Sequence, residues 1–257
     1  MLELKNIDKG FEIGTIDEKQ LFCDFSLKVN EGEFVSVVGS NGSGKTTILN
    51  IISGSLPAEK GHVILDGKDI TSKPAYKRAD YIARVFQNPA AGTCAKMTIF
   101  ENMSLADHKS KIFGLTPGLN KKRLDFYRDS LKILGMGLED RMDSLTGTLS
   151  GGQRQALALI MSTLYTPKLL LLDEHTAALD PRSADTVMHL TDKIVSERKI
   201  TALMVTHNLR YAVEYGTRSI MMHDGHIVLD VSGEEKKNKD IDFYLKQFNE
   251  ISIECGN

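Results

Sequence analysis

The sequence predicts an α/β fold built on a mainly parallel sheet covered on both faces, and three observations carry that prediction. Phe34 to Val38, Leu169 to Asp173 and Thr201 to Thr206 are short, near-continuous apolar runs, the pattern of strands buried from both sides. A helical segment separates the last two, the kind of crossover that parallel neighbours require. With 41% hydrophobic and 26% charged residues in 257, the chain has the composition of an ordinary globular protein and the length for one large domain with an insertion.

Taken in order, Phe34 to Val38 reads as a strand, followed by a glycine-rich interval and then TTILNIISG, in which Ile48, Leu49, Ile51 and Ile52 have helical spacing that ends at Gly54. HVILDGKDI carries an Asp66-Gly67 turn and predicts a hairpin, and YIARVF, Tyr81 to Phe86, predicts another buried strand. Between about Asn88 and Thr148 the pattern becomes mainly helical, broken by Gly and Pro as in GLTPGLNKKR, so an inserted helical subdomain is expected there. The basic run NKKRLDFYR, Asn120 to Arg128, could touch anionic lipid or a membrane partner, but a short basic run of this kind reads first as a solvated helix face. After the strands LLLLD and TALMVT, IMMHDGHIVLDVSG predicts a second hairpin, and the amphipathic tail EEKKNKDIDFYLKQFNE predicts a capping helix.

Composition excludes several functions. A net charge of -2 gives no electrostatic footprint for nucleic acid. Cys23, Cys94 and Cys255 are odd in number and lack metal-ligand spacing, so neither a disulfide framework nor a zinc site is expected, and a reducing cytosol fits. MLELKNIDKGFEIGT lacks the pattern of a secretory leader, and no apolar run approaches the length of a membrane span, so the chain is not expected to cross a bilayer by itself.

The chemistry begins at GSNGSGKT. Gly39, Ser40, Asn41, Gly42, Ser43, Gly44, Lys45 and Thr46 satisfy G-x-x-x-x-G-K-[ST] between a strand and a helix, where a phosphate-binding loop must lie. Gly42 and Gly44 let backbone N–H groups curl around phosphate oxygens, the helix start adds its positive dipole end, and Lys45 supplies charge for the β and γ phosphates. Thr46 would hold Mg2+ and Thr47 would reach the α phosphate.

LLLLDE ends an apolar strand with two carboxylates at the edge of the sheet where ligands bind in such folds. Asp173 is the natural Mg2+ partner, and Glu174 is then placed to orient and deprotonate an attacking water. His207 follows TALMVT onto the same edge, where it could hydrogen-bond the γ phosphate. Gln87, after YIARVF, could ligate Mg2+ or hold water. In LSGGQRQALALI, Ser150 and Gln153 make an S-x-x-Q capping box, which explains both polar residues but leaves Gly151 and Gly152 as bare backbone suited to a bulky anion.

GSNGSGKT, Gln87, LSGGQ, LLLLDE, the ALD of Ala178 to Asp180, and His207 resemble, in order and spacing, the ATP-binding cassette (ABC) family over nearly the whole chain. The resemblance implies a P-loop NTPase core with a mainly parallel sheet, an N-terminal antiparallel β subdomain and an inserted helical subdomain. On this reading 1–257 is a single ABC ATPase domain: 1–87 and 160–230 form the nucleotide-binding core with the β subdomain, 88–159 the helical subdomain with LSGGQ, and 231–257 the tail. It also implies ATP and Mg2+ as ligands and a head-to-tail pair of copies, with Ser150, Gly151, Gly152 and Gln153 meeting the partner's γ phosphate. Phe11 would stack on adenine, Gln87 would link the site to a membrane partner, and Asp180 would communicate across the pair. GTIDEKQ, after Phe11, lengthens the family's usual hairpin.

DEHTAALDP departs from the DEPTSALD common in the family, and His175 is assigned no chemistry. Together with MVTHN, RVFQNP and IMMHDGHIVLDVSGEEKK it resembles a bacterial subgroup of tryptophan/tyrosine-type amino-acid import ATPases. The implied setting is the cytoplasmic face of the cell membrane, on a separate integral-membrane permease fed by an extracellular substrate-binding lipoprotein, with no nucleic acid. An exporter subunit is the alternative. A soluble cassette acting on ribosomes or DNA fits less well, because this chain has one cassette, no heptad run and an acidic balance.

Overall fold

The computed structural model describes residues 1–16, 19–107 and 118–254. Asp17 and Glu18 of GTIDEKQ, the segment from Gly114 to Pro117 in GLTPGLNKKR, and Cys255 lie outside the described residues. The chain opens with β1 (Leu2–Phe11) and β2 (Lys19–Val29), then β3 (Phe34–Gly39), α1 (Lys45–Ser53), β4 (Lys60–Leu65), β5 (Lys68–Asp69), α2 (Ala75–Arg78) and β6 (Ile82–Val85). Three longer helices follow, α3 (Ile99–Asp107), α4 (Leu124–Lys132) and α5 (Gly151–Thr163). The remainder is β7 (Leu169–Asp173), α6 (Pro181–Glu197), β8 (Thr201–Val205), α7 (Leu209–Glu214), β9 (Arg218–His223), β10 (His226–Ser232), α8 (Gly233–Lys237) and α9 (Ile241–Glu254).

Two sheets organise these elements. A six-stranded sheet runs β10-β9-β3-β8-β7-β6, parallel except where β10 returns antiparallel to β9 through the Asp224-Gly225 turn. A four-stranded antiparallel sheet runs β2-β1-β4-β5. Every residue of β3, β7 and β8 is buried, because both faces of the parallel sheet are covered.

Strand alternation decides which side chain meets which layer. Leu169 and Leu171 join a core with α1 and the antiparallel sheet, whereas Leu170 and Leu172 pack with α5 and α6 on the other face. Asp173 continues the odd series and so turns its carboxylate toward α1. On β6, Ile82 belongs to the α1 side, while Ala83 and Val85 belong to the other.

The helices over residues 88–159 pack through Ile99, Met103, Tyr127 and Leu131 onto α5 and α6. Residues 159 and 160 both lie within α5, so one continuous helix passes from the helical segment into the core. In NKKRLDFYR, Lys121, Lys122 and Arg128 are exposed, but Arg123 Nε pairs with the buried carboxylate of Asp107 at 2.8 Å. The tail helix α9 buries Tyr244 against Ala212, Met221 and Val231, which fixes it on α7 and the last hairpin.

His175, just beyond β7, is buried, and its Nε2 contacts the Thr191 hydroxyl of α6 at 3.0 Å. That hydroxyl already donates to the Val187 carbonyl at 2.8 Å, so Nε2–H is the donor. Burial pushes the imidazole down to about 4 from about 6.5. Below about 6.5 the unfolded chain binds a proton that the folded chain refuses, so this contribution to stability is lost as pH falls toward about 4. His175→Gln should remove roughly 3 kcal/mol of that loss across the interval. Urea midpoints at successive pH values test it, and parallel curves for the two proteins would exclude it.

Candidate functional site

The loop after β3 is forced into shape by its neighbours. A Cβ on Gly39, at φ 150°, would lie 2.0 Å from the Met222 carbonyl oxygen of β9, and one on Gly44, at φ 100°, would lie 2.4 Å from the Phe22 ring. Both positions therefore accept only glycine. Gly44 caps α1 without any side-chain hydrogen bond, which leaves first-turn N–H groups directed at the loop, the arrangement that binds anions. Inside the loop the hydroxyl of Ser43 is buried with no partner among the described residues, and such an orphaned polar atom suits an incoming phosphate oxygen.

Lys45 is folded back into this loop. Its Nζ donates to the carbonyls of Gly39 at 2.9 Å and Ser40 at 2.7 Å, so carbonyl dipoles hold the ammonium ready. Burial pulls its pKa below the usual lysine value, an effect the Glu174 charge opposes.

The two carboxylates after Leu172 diverge. Asp173 places Oδ1 3.3 Å from the Thr46 hydroxyl, two hard oxygens from β7 and α1 converging on one point. Among the described residues no group of three or more His, Cys, Asp or Glu side chains could hold a metal, so a cation here would take few protein ligands and the rest from phosphate and water. That is the habit of Mg2+ rather than of zinc. Glu174 has a left-handed backbone, φ 46°, pinned by its N–H to the Val205 carbonyl at 3.0 Å. Its carboxylate contacts Nε2 of His207, which arrives from the end of β8.

Lys45, Thr46, Glu174 and His207 share a cleft of about 490 Å3 with Phe11, Asn41, Gly42, Gly44 and Thr47, among others, whereas Asp173 is buried and outside its lining. The size of the cleft suits a nucleotide-scale ligand. Phe11 is 39% exposed at its mouth, with Lys9 Nζ 5.4 Å from its ring centre, and an exposed aromatic ring suits stacking on a planar group. Gly39, Ser40 and Ser43 belong to the loop itself, whereas Gln87, Ser150, Gly151, Gly152, Gln153 and Asp180 are absent from the lining.

Ser150 and Gln153 form the capping box in full, each backbone N–H meeting the other side chain at 3.2 Å. Ser150 and Gly151 are exposed, but Gly152 is buried, and a Cβ there would lie 2.9 Å from that of Ser183. Close packing of α5 on α6 therefore demands this glycine, a reason beyond an exposed N–H. Asp180 caps α6 by accepting from the Ser183 N–H at 3.1 Å, and hydrogen bonds from Ser183 hold its carboxyl below the usual range.

Gln87 is exposed beyond β6, and the base of its segment is held by Gln155 of α5, whose Nε2 donates to the Phe86 carbonyl at 3.0 Å. Arg84 is the residue that sequence reasoning missed: Nη2 meets Asp173 Oδ2 at 2.5 Å and Nη1 meets Asn50 Oδ1 at 2.7 Å. A charge inside the apolar run YIARVF was the available signal, since a buried strand carries one only when something pairs it.

Comparisons with known proteins show what the chain is similar to. The family model described as ABC transporter matches residues 22–177. The tyrosine transport ATP-binding protein of Clostridioides difficile (strain R20291) is 48% identical over 248 residues, covering 96% of this chain and 98% of that protein. The spermidine/putrescine import ATP-binding protein of Haemophilus influenzae is 33% identical; the match covers 98% of this chain but 64% of that longer protein. Among solved structures, an ATP-binding cassette of an ABC transporter in its ADP conformation superposes with a TM-score of 0.81 at 27% identity, covering 100% and 99% of the two chains. A dimeric post-hydrolysis cassette bound to ADP and Pi superposes with a TM-score of 0.76 at 30% identity, covering 90% and 98%.

Proposed function

The chain belongs to the ABC transporter family as an ATP-hydrolysing subunit of import systems, and from that premise we propose that two copies pair head to tail, each completing the other's ATP site. Lys45 and the loop from Gly39 to Thr46 take the β and γ phosphates of ATP, Thr47 reaches the α phosphate, and Phe11 stacks on adenine. Ser150, Gly151, Gly152 and Gln153 of the second copy close over the γ phosphate, and Asp180 reports across the pair. Thr46 and Asp173, with Gln87, would hold Mg2+, which would neutralise charge on the phosphates. Glu174 orients and deprotonates the attacking water, and His207 contacts the γ phosphate. Closure is favoured while the γ phosphate touches both copies and is released once it is cleaved, since ATP and ADP differ in affinity for the closed pair.

The reading rests on the composition of the cleft: it contains the phosphate loop, Glu174 and His207, and no residue of 149–153. The pair works at the cytoplasmic face of the membrane on an integral-membrane permease, to which Gln87 links the nucleotide site. An extracellular substrate-binding lipoprotein delivers an amino acid or similar small molecule, tyrosine being suggested by the relative from Clostridioides difficile.

The test is a mixed pair. With Lys45→Ala in one copy and Ser150→Arg in the other, both lesions fall in one shared pocket and the second pocket stays whole, so ATP turnover should persist. With both lesions in the same copy, paired with an unaltered one, each pocket carries one lesion and turnover should fall by at least about tenfold relative to the first arrangement. Equal rates in the two arrangements would refute the shared pocket.

A further inference from the structure

We propose that Arg84 is an internal cation that shares the Asp173 carboxylate with the divalent metal, and so sets how strongly metal and nucleotide reinforce each other's binding. The inference rests on the reading of Thr46 and Asp173 as the metal's protein ligands. It adds a positioning residue to that site, one that acts through Asp173 and has no contact with the reacting atoms.

Arg84 is on the α1 side of β6 by strand alternation, the side to which Asp173 also turns. β6 and β7 are neighbours with Arg84 opposite Leu171, which puts the guanidinium within reach of a carboxylate two residues further along β7. The two oxygens of Asp173 are divided: Oδ1 faces Thr46 at 3.3 Å, and Oδ2 receives Arg84 Nη2 at 2.5 Å. Nη1 is anchored on Asn50 Oδ1 of α1 at 2.7 Å, and the guanidinium carbon lies 5.0 Å from the centre of the Phe86 ring. Nε is buried with no hydrogen-bond partner among the described residues, so the side chain is not positioned for full hydrogen bonding of its own. What it satisfies is Asp173.

Both side chains are about 12% exposed, so water and salt screen the pair weakly. The guanidinium thus places a positive charge directly beside Asp173. Before metal arrives, it compensates a carboxylate that would otherwise be buried and unpaired, a costly arrangement. A divalent cation held by Asp173 would share that carboxylate with a second cation that repels it. Arg84 thus keeps the metal-free site stable and weakens the dependence of nucleotide binding on metal.

The readout is the factor by which saturating Mn2+ tightens ADP binding, taken by titration calorimetry on the full chain without any turnover. Arg84→Gln keeps a donor for Asp173 and removes the charge, and it should raise that factor by about tenfold. Arg84→Lys keeps the charge and should stay within about twofold of the wild type. An unchanged or lower factor in Arg84→Gln overturns the proposal. Should that variant not fold, Asn50→Ala frees one arm of the guanidinium and should raise the factor about twofold to threefold, and a fall there overturns it equally. Asp173→Asn should bring the factor close to unity. If Asp173→Asn keeps the wild-type factor, the metal reading itself fails and this inference with it; if Asp173→Asn collapses while Arg84→Gln is unchanged, only the role of Arg84 fails.

Discussion

Glu174→Gln should lower ATP turnover by at least about a hundredfold while leaving ATP binding intact, the scale expected for losing a positioned catalytic group. The substitution is isosteric, and the features that aim the side chain belong to the backbone: its left-handed φ of 46° and the bond from its N–H to the Val205 carbonyl persist in the variant. What disappears is the negative charge and the capacity to take a proton from water. The contact with His207 can persist as a hydrogen bond to the side-chain amide. Loss of a carboxylate facing the triphosphate also removes a repulsion, so the ATP-bound pair should persist. Phosphate release measures the first effect, and size-exclusion chromatography with ATP and Mg2+ measures the second, where the variant should elute as a dimer. A variant with full turnover that remains monomeric would remove Glu174 from the assigned role.

Lys45→Ala acts one step earlier. Its ammonium is the buried cation of the phosphate loop, held by the Gly39 and Ser40 carbonyls. Phosphate oxygens are stronger acceptors than these carbonyls, and charge-assisted hydrogen bonds in a sheltered cleft are among the stronger polar contacts. Nucleotide affinity should therefore fall by roughly a hundredfold, read by titration with a fluorescent ATP analogue. Lys45→Met, which keeps most of the stem and its packing, should lose affinity to a similar degree. Wild-type affinity in the methionine variant would show that the charge is not what captures the triphosphate.

Much of the site is legible in the chain because its parts are contiguous. Gly39 to Thr46 is one uninterrupted string whose backbone forms the phosphate loop, and its chemistry needs a strand before it and a helix after it, both visible in hydrophobic periodicity. The same holds for LLLLDE, where an apolar strand delivers acids to a sheet edge, and for the S-x-x-Q box of α5. In the N-terminal sheet the β4–β5 hairpin showed in the Asp66-Gly67 turn, whereas β1 and β2 were legible only through the resemblance. Register shifts in the pairing of β1 with β2, with positive φ at Asn6 and Asp24, interrupt the alternation by which a half-buried strand is recognised.

The sequence by itself determined which residues are candidates to bind phosphate, hold a hard cation and activate water, since these depend on residue type and local backbone. The tertiary structure decided which of them meet. Arg84 and Asp173 are 89 positions apart, and they pair because the strand order brings β6 beside β7 and alternation turns both side chains toward α1. His207 meets Glu174 because β8 lies beside β7. Gly152 is required because α5 and α6 approach too closely there for a side chain. Strand order and the separation of packed helices are set by the burial of whole faces, a property of the assembled layers that no short stretch of sequence carries.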